Sequence, residues 1–237
     1  MNNEFDLSSF DVAKYDSLIS KGVTEGLGSG FPGEMCIEAV ICNTLGLEHS
    51  DDPKCVAGAV RLFKITLNDS YGWKNKHSRA AGLRDLGIAQ LGSLGVVDNH
   101  EFCKRLREKI TEILIPKFLE EFFQNKDKDA EISEISKSLK EKSNDSSALI
   151  LKLYQKLNRY EYDYSEFIGH AFRNLIRSEE MENFKYLQDD EWSCGAHLSN
   201  TISFIRNSTR NEEYLFLGAN LALEVLKELK SPGCELL

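Results

Sequence analysis

The chain has 237 residues, a formal net charge of -9, 41% hydrophobic residues and 28% charged residues. A chain of this length and composition can bury a sizeable core without disulfide bonds, which excludes wholesale disorder. The acidity makes direct nucleic-acid binding an unfavourable hypothesis, because phosphate recognition depends on clustered lysine and arginine. It is compatible with a basic protein partner.

The cysteines and the N-terminal residues predict a cytoplasmic location. Residues 1–16 are acidic and lack the basic start and continuous apolar stretch of a secretory signal. Uncharged apolar runs are shorter than the roughly 20 residues that span a bilayer, so we expect no membrane association. Six cysteines occur without a CxxC pair, which favours free thiols in a reducing compartment and gives no reason to expect a metal or another cofactor.

The hydrophobic spacing is helical almost throughout and there are only four prolines, so we predict an all-α, multi-helix bundle. The first predicted helix after the turn-forming residues 26–33 covers residues 34–45 and stops at Gly46. The next is expected to use Asp52 as its N-cap and Pro53 as its first residue. It carries an apolar stripe at Val56, Val60, Phe63 and Leu67.

Two further helices complete the first half of the chain. One is predicted over residues 78–91. The other opens at Asp98, with Glu101 at the spacing of a capping box, and runs to about residue 123. Pro116 should kink this helix or split it, because proline lacks an amide hydrogen.

Residues 124–147 are dense in Lys, Asp, Glu and Ser. We interpret them as a charged connector or a solvated helix between an N-terminal lobe, residues 1–123, and a C-terminal lobe, residues 148–237. Helices are predicted near 147–158, 164–178 and 193–206. A last helix should start at Thr209, with Glu212 completing its capping box.

Three cysteines fall close together at positions 36, 42 and 55. On one helix Cys36 and Cys42 would lie about 9 Å apart along the axis and roughly 120° apart around it, so they could not share a zinc ion. The favoured interpretation of these cysteines is that they are buried core residues.

The same region holds the candidate site. Glu34 and Glu38 would share a helix face, where two carboxylates need a cation such as Arg61, Arg79 or Arg84 between them. The group could bind a small anion or perform acid-base chemistry. Alternatively, its aspartates only cap a helix and its arginines form surface ion pairs. The candidate residues are Cys36, Glu38, His49, Asp51, Asp52 and Arg61.

Cys36 also stands at the start of a predicted helix, where a thiolate can be stabilised, and His49 or His77 could act as its base. The buried-thiol interpretation competes with this one. Near residue 160, Tyr160, Tyr162 and Tyr164 alternate with acids, which fits either a protein interface or an interhelical loop.

We therefore hypothesise a regulatory or adaptor protein that acts by binding another protein through helix faces. The alternative is an enzyme or small-ligand sensor that uses the candidate site, so the sequence leaves open whether the chain is an enzyme. It also leaves homo-oligomerisation open.

Overall fold

The computed structural model describes residues 5–123, 130–141, 146–157, 165–183 and 193–237. Over these ranges the chain is helical, with one isolated β-bridge between Gly28 and Met35 and no strand, so the all-α prediction is confirmed. The α-helices are α1 (Val12–Ile19), α2 (Ile37–Thr44), α3 (Gly58–Asn68), α4 (Lys76–Ala89), α5 (Asn99–Lys109), α6 (Ile115–Phe122), α7 (Ala130–Lys140), α8 (Ser146–Leu157), α9 (Ser165–Asn183), α10 (Ser193–Thr209) and α11 (Glu213–Glu228).

Within the predicted connector, the structure describes helix α7 and the first residues of α8. Ile132, Ile135 and Leu139 of α7 are buried, and α7 packs on α6. The division into two lobes at this segment stays a prediction. The tyrosines at 160, 162 and 164 lie outside the described residues.

Helices from the second half of the chain pack directly on helices from the first half. Helix α10 lies between α9 and α3, and α11 lies against α4. At the α3–α10 contact, a Cβ added to Gly195 would stand 2.2 Å from the carbonyl oxygen of Ala59. The backbones therefore approach more closely than any larger residue would permit.

Helix α3 begins at Gly58, so the predicted start at Asp52 and Pro53 is wrong. No side chain of its own segment caps it. Instead the side chain of Asn99, at the start of α5, accepts a hydrogen bond from the Ala59 amide at 2.8 Å. A cap from a distant residue satisfies the same orphan amide as a local one.

Other predicted helix ends have mixed outcomes. Asp98 caps α5 by accepting from the Glu101 amide, as predicted. Thr209 belongs to α10 and does not cap α11, whose N-cap is Glu212, so that capping box is wrong.

The backbone widens into a π-helix over Ile110–Leu114, just before Pro116. A π-turn shifts the hydrogen-bond register, which is one way for a helical path to accommodate a proline. Among the described helices, none combines the length and the hydropathy needed to cross a lipid bilayer.

Candidate functional site

Two loops and the start of α2 build the candidate site. The first loop, residues 20–36, leads into α2, and the second, residues 45–57, joins α2 to α3. The His49 ring binds across them, with Nε2 3.2 Å from the Gly28 carbonyl oxygen. Because a carbonyl oxygen only accepts, Nε2 must carry the proton. His49 thus holds the two loops together.

Beneath the loops, Glu38 of α2 and Lys64 of α3 form a buried ion pair. Both side chains are 0% exposed, and Lys64 Nζ lies 3.1 Å from Glu38 Oε1. The Gln90 side chain donates to Glu38 Oε2 at 2.8 Å. Residues from α2, α3 and the end of α4 are therefore joined by one buried polar contact.

This polar contact leaves hydrogen-bonding capacity unused. Glu38 Oε1, Lys64 Nζ and Gln90 Oε1 are buried atoms without a hydrogen bond of good geometry. Lys64 Nζ and Glu38 Oε1 nevertheless lie 3.1 Å apart and partner each other as an ion pair. Burial raises the pKa of Glu38, opposed by Lys64 and Gln90, and burial lowers the pKa of Lys64, opposed by Glu38.

Lys64 and Gln90 are absent from the set predicted from the sequence. Lys64 was detectable, because it falls four residues after Val60 and three before Leu67, on the inward stripe of α3. Gln90 gave no such signal, since it is the C-cap of α4 and its inward direction depends on how α4 docks. The predicted arginine partners are not the partners of Glu38.

The sequence spacing predicts that Glu34 and Glu38 share a face of α2, and this prediction is wrong. Glu34 precedes the helix, and the Ser29 hydroxyl donates to its carboxylate. The two acids are separated because α2 starts only at Ile37, after the bend that contains Gly33.

Cys36 is the N-cap of α2, and its Sγ accepts from the Ala39 amide at 3.3 Å. Burial raises the pKa of the Cys36 thiol to about 11 and that of Cys42 to about 12. Cys36, Cys42 and Cys55 are all buried and free, which confirms their prediction as core thiols. With a pKa this high, Cys36 is held as a thiol at neutral pH.

A cavity of about 30 Å³ lies where the first loop meets α2 and α3. Its lining brings together three of the candidate residues, Cys36, Glu38 and Asp51. Asn68 and Asp69, from the end of α3, complete the polar part of the wall, and Leu27 contributes an apolar part. The volume suits one or two water-sized groups.

The other candidate residues lie around the cavity. Arg61 Nη1 is 4.0 Å from Asp51 Oδ1 and 3.8 Å from Asp52 Oδ1, so Arg61 forms a long ion pair with each aspartate. Asp52 also pairs with the exposed Lys54. His49 is occupied by Gly28 and is not part of the cavity lining.

Asn68 and Asp69 form hydrogen bonds that connect the end of α3 to the first loop and to the start of α2. The Asn68 side chain accepts from the Ile37 amide at the start of α2 and donates to the Thr24 carbonyl oxygen. Asp69 Oδ1 accepts from the Gly26 amide at 2.8 Å. These bonds set the first loop against the end of α3, and the sequence had not marked either residue.

Both loops expose large apolar side chains. Phe31 is 71% exposed, Leu47 is 45% exposed and Leu27 is 42% exposed. Leu27 and Phe31 lie on the first loop, and Leu47 lies two residues before His49 on the second. We call these three side chains the apolar rim.

Larger clefts occur elsewhere on the described surface. A groove of about 240 Å³ between α6 and α7 is lined by Leu119, Phe123 and Ile132, with Lys140 paired to Glu120 at its edge. A more open cleft of about 400 Å³ beside α5 contains Lys109, which pairs with Glu228. Neither cleft is lined by any of the candidate residues, whereas the N-terminal cavity is lined by three of them, so we regard that cavity as the candidate site.

Within the described ranges, no cluster of three or more His, Cys, Asp or Glu side chains has the geometry to hold a metal ion. Comparison of the chain with protein-family models, with curated proteins and with solved structures finds no match.

Proposed function

We propose that this chain is a regulatory or adaptor protein that binds another protein through the apolar rim. The observation that carries the proposal is the exposure of Leu27, Phe31 and Leu47 on two loops that His49 ties together. Exposed aromatic and aliphatic side chains on an ordered surface are typical of protein-binding sites.

The hydrogen bonds of Asn68 and Asp69 support the same proposal. Loops usually lose mobility when they bind, and that ordering reduces affinity. Here Asn68 and Asp69 anchor the first loop to α3, so the rim is held in place before a partner arrives.

The alternative, an enzyme or small-ligand sensor at Cys36, Glu38 and Asp51, has less support. These groups do line one cavity, but its volume is about 30 Å³, whereas sites for organic ligands usually have about 300–1,000 Å³. The high pKa of Cys36 also disfavours a thiolate nucleophile.

The test is quantitative affinity capture of proteins from an extract of the cells that naturally produce this chain. The wild-type chain, Phe31→Ser and Leu151→Ser are used as baits. Leu151 is the control, because it is an exposed apolar residue outside the apolar rim, 45% exposed on α8. We expect at least one protein to be retained by the wild type and the control and lost with Phe31→Ser. That protein, once purified, should bind the wild type directly in calorimetry.

Circular dichroism must show that all three proteins are equally folded. If the three retain the same set of proteins, or if the purified candidate does not bind, the apolar rim is not the interaction surface.

A further inference from the structure

We propose that the groove between α6 and α7 binds a small amphipathic anion, an aliphatic carboxylate of about six to eight carbons. The groove is separate from the apolar rim, so this inference goes beyond the proposed function and does not rest on it. Three features of the groove point to such a ligand: its apolar wall, a buried hydroxyl group that faces it, and the charge of its lining.

The apolar wall of the groove suits a hydrocarbon chain. Leu119 and Phe123 line it from the α6 side and Ile132 lines it from α7. The groove has a volume of about 240 Å³, which is room for about eight water-sized groups. Sites for drug-sized ligands usually have about 300–1,000 Å³, so a short aliphatic chain fits here and a larger ligand does not.

A buried hydroxyl group faces the groove. Ser136 of α7 lines the groove although its side chain is only 7% exposed. Thr44 and Thr66 each donate to the carbonyl oxygen four residues earlier, whereas Ser136 forms no hydrogen bond with any described residue. A buried polar group without a partner is unfavourable. A ligand carboxylate in the groove would accept the hydrogen bond that Ser136 can donate.

The charge of the lining favours an anion. The charged residues that line the groove are Lys137, Lys140 and Glu120, so the lining is positive although the whole chain carries a formal net charge of -9. Glu120 already pairs with Lys140. Lys137 pairs with Glu141 at 3.8 Å, and its side chain is 76% exposed. Because an exposed pair of this kind is weak, Lys137 can exchange Glu141 for a ligand. One available lysine suits a singly charged carboxylate better than a phosphate.

The test is isothermal titration calorimetry of the full chain with sodium octanoate. Octan-1-ol is the matched ligand control, because it has the same chain length and no charge. We expect saturable one-to-one binding of octanoate. Octan-1-ol should bind at least about tenfold more weakly, because it loses the charge-assisted hydrogen bond and the ion pair.

Two substitutions test the polar contacts. Ser136→Ala should weaken octanoate binding by about tenfold, because it removes the buried donor. Lys137→Gln should weaken it by about twofold to fivefold, as expected for an exposed ion pair. Lys152→Gln is the matched control and should leave the affinity unchanged. Lys152 is a surface lysine of α8 with a side chain 55% exposed, and it pairs with Glu131 outside the groove.

A third substitution tests the location of the ligand. Ser133 is exposed and lines the groove, so Ser133→Phe should fill the groove and abolish binding. Glu134→Phe is the control, because Glu134 is the exposed neighbour and does not line the groove. Phe31→Ser should bind octanoate like the wild type, because the apolar rim is a different surface. Circular dichroism must show that the variants are folded.

The inference is overturned if octanoate gives no saturable binding, or if octan-1-ol binds equally well. It is also overturned if Ser133→Phe binds like the wild type, or if folded Phe31→Ser loses octanoate binding. Should Ser133→Phe fail to fold, Ser136→Ala and Lys137→Gln decide, and unchanged affinity in both would contradict the proposed site. None of these results changes the outcome expected for the apolar rim.

Discussion

Lys64 shows how a single residue can be both costly and necessary in a core. Transfer of an ammonium and a carboxylate out of water costs several kcal/mol per ion, and the attraction between Lys64 and Glu38 offsets this cost only while both are present. The Gln90 side chain also stabilises the carboxylate, because its amide donates a hydrogen bond to Glu38. Removing either partner would therefore leave an uncompensated buried charge between α2 and α3.

Lys64→Met should lower the free energy of unfolding by about 3–5 kcal/mol, because it leaves the Glu38 carboxylate buried without a counter-ion. The double variant Lys64→Met with Glu38→Gln should recover most of that loss, since no charge stays buried and the new amide can still accept from Gln90. Urea denaturation measures both.

Lys54→Met is the matched control, because Lys54 forms an ion pair at the surface with a side chain 79% exposed. Its effect should be about 0–1 kcal/mol. A Lys64→Met variant as stable as this control would show that the buried pair does not contribute as described.

Contacts between elements depend on small residues and on caps supplied from a distance. Gly195 allows α10 to touch the backbone of α3, and Asn99 caps α3 from the start of α5. Because such contacts come from distant residues, the sequence predicted the presence of these helices better than the residues at which they begin and end. A capping pattern such as Thr209 with Glu212 is only a local tendency, and tertiary packing can replace it.

Gly195→Ala should lower the free energy of unfolding by about 1–3 kcal/mol, because its Cβ would meet a backbone oxygen that cannot move without shifting α3. Gly218→Ala in α11 is the comparison. There the nearest atom is Ile202 Cδ1 at 2.5 Å, the end of a flexible side chain, and alanine has the better helix propensity. Thermal unfolding should show a clearly smaller loss for Gly218→Ala; equal losses would contradict a backbone clash at Gly195.

Glu212 connects the start of α11 to the start of α4. Its carboxylate accepts from the Lys74 amide and the Ser78 hydroxyl, each at 2.8 Å. Burial alone would raise the pKa of Glu212, but these bonds and the Lys74 ammonium hold that pKa below its ordinary value of 4.5. A carboxyl group with a lowered pKa in the folded state stabilises the protein above the ordinary pKa, and this contribution is lost as the pH falls through the lowered value.

Glu212→Gln should therefore cost about 1–3 kcal/mol near neutral pH, as expected for hydrogen bonds to a charged acceptor. The difference from wild type should shrink as the pH falls below about 4.5. Urea denaturation across this range, with Glu213→Gln at the exposed neighbouring position as control, measures the effect. A difference that stays constant through the acid range would mean that the charge of Glu212 is not responsible.

Buried apolar residues from both halves of the chain belong to one cluster. Phe63 of α3, Leu198 of α10 and Val225 of α11 are each 0% exposed and lie in it. A core shared in this way favours unfolding as one unit, whereas two independent lobes would unfold separately.

We expect Trp73 fluorescence and far-ultraviolet circular dichroism to give coincident urea transitions. Trp73 is buried and lies between α3 and α4, and Trp192→Phe would leave it as the single tryptophan reporter. Circular dichroism reports the helices of both halves. A fluorescence transition clearly separated from the circular dichroism transition would support the two lobes divided at residues 124–147.

The helical class, most of the helices and the burial of the free thiols could be predicted from the amino-acid sequence. These follow from hydrophobic periodicity and side-chain polarity, which act over a few residues. Three features could be read only from the folded chain: Glu38 contacts Lys64 and Gln90, Asn99 caps α3, and Cys36, Glu38 and Asp51 line one small cavity. Such contacts join residues that are tens of positions apart, and their existence depends on how whole helices dock, which no local pattern encodes.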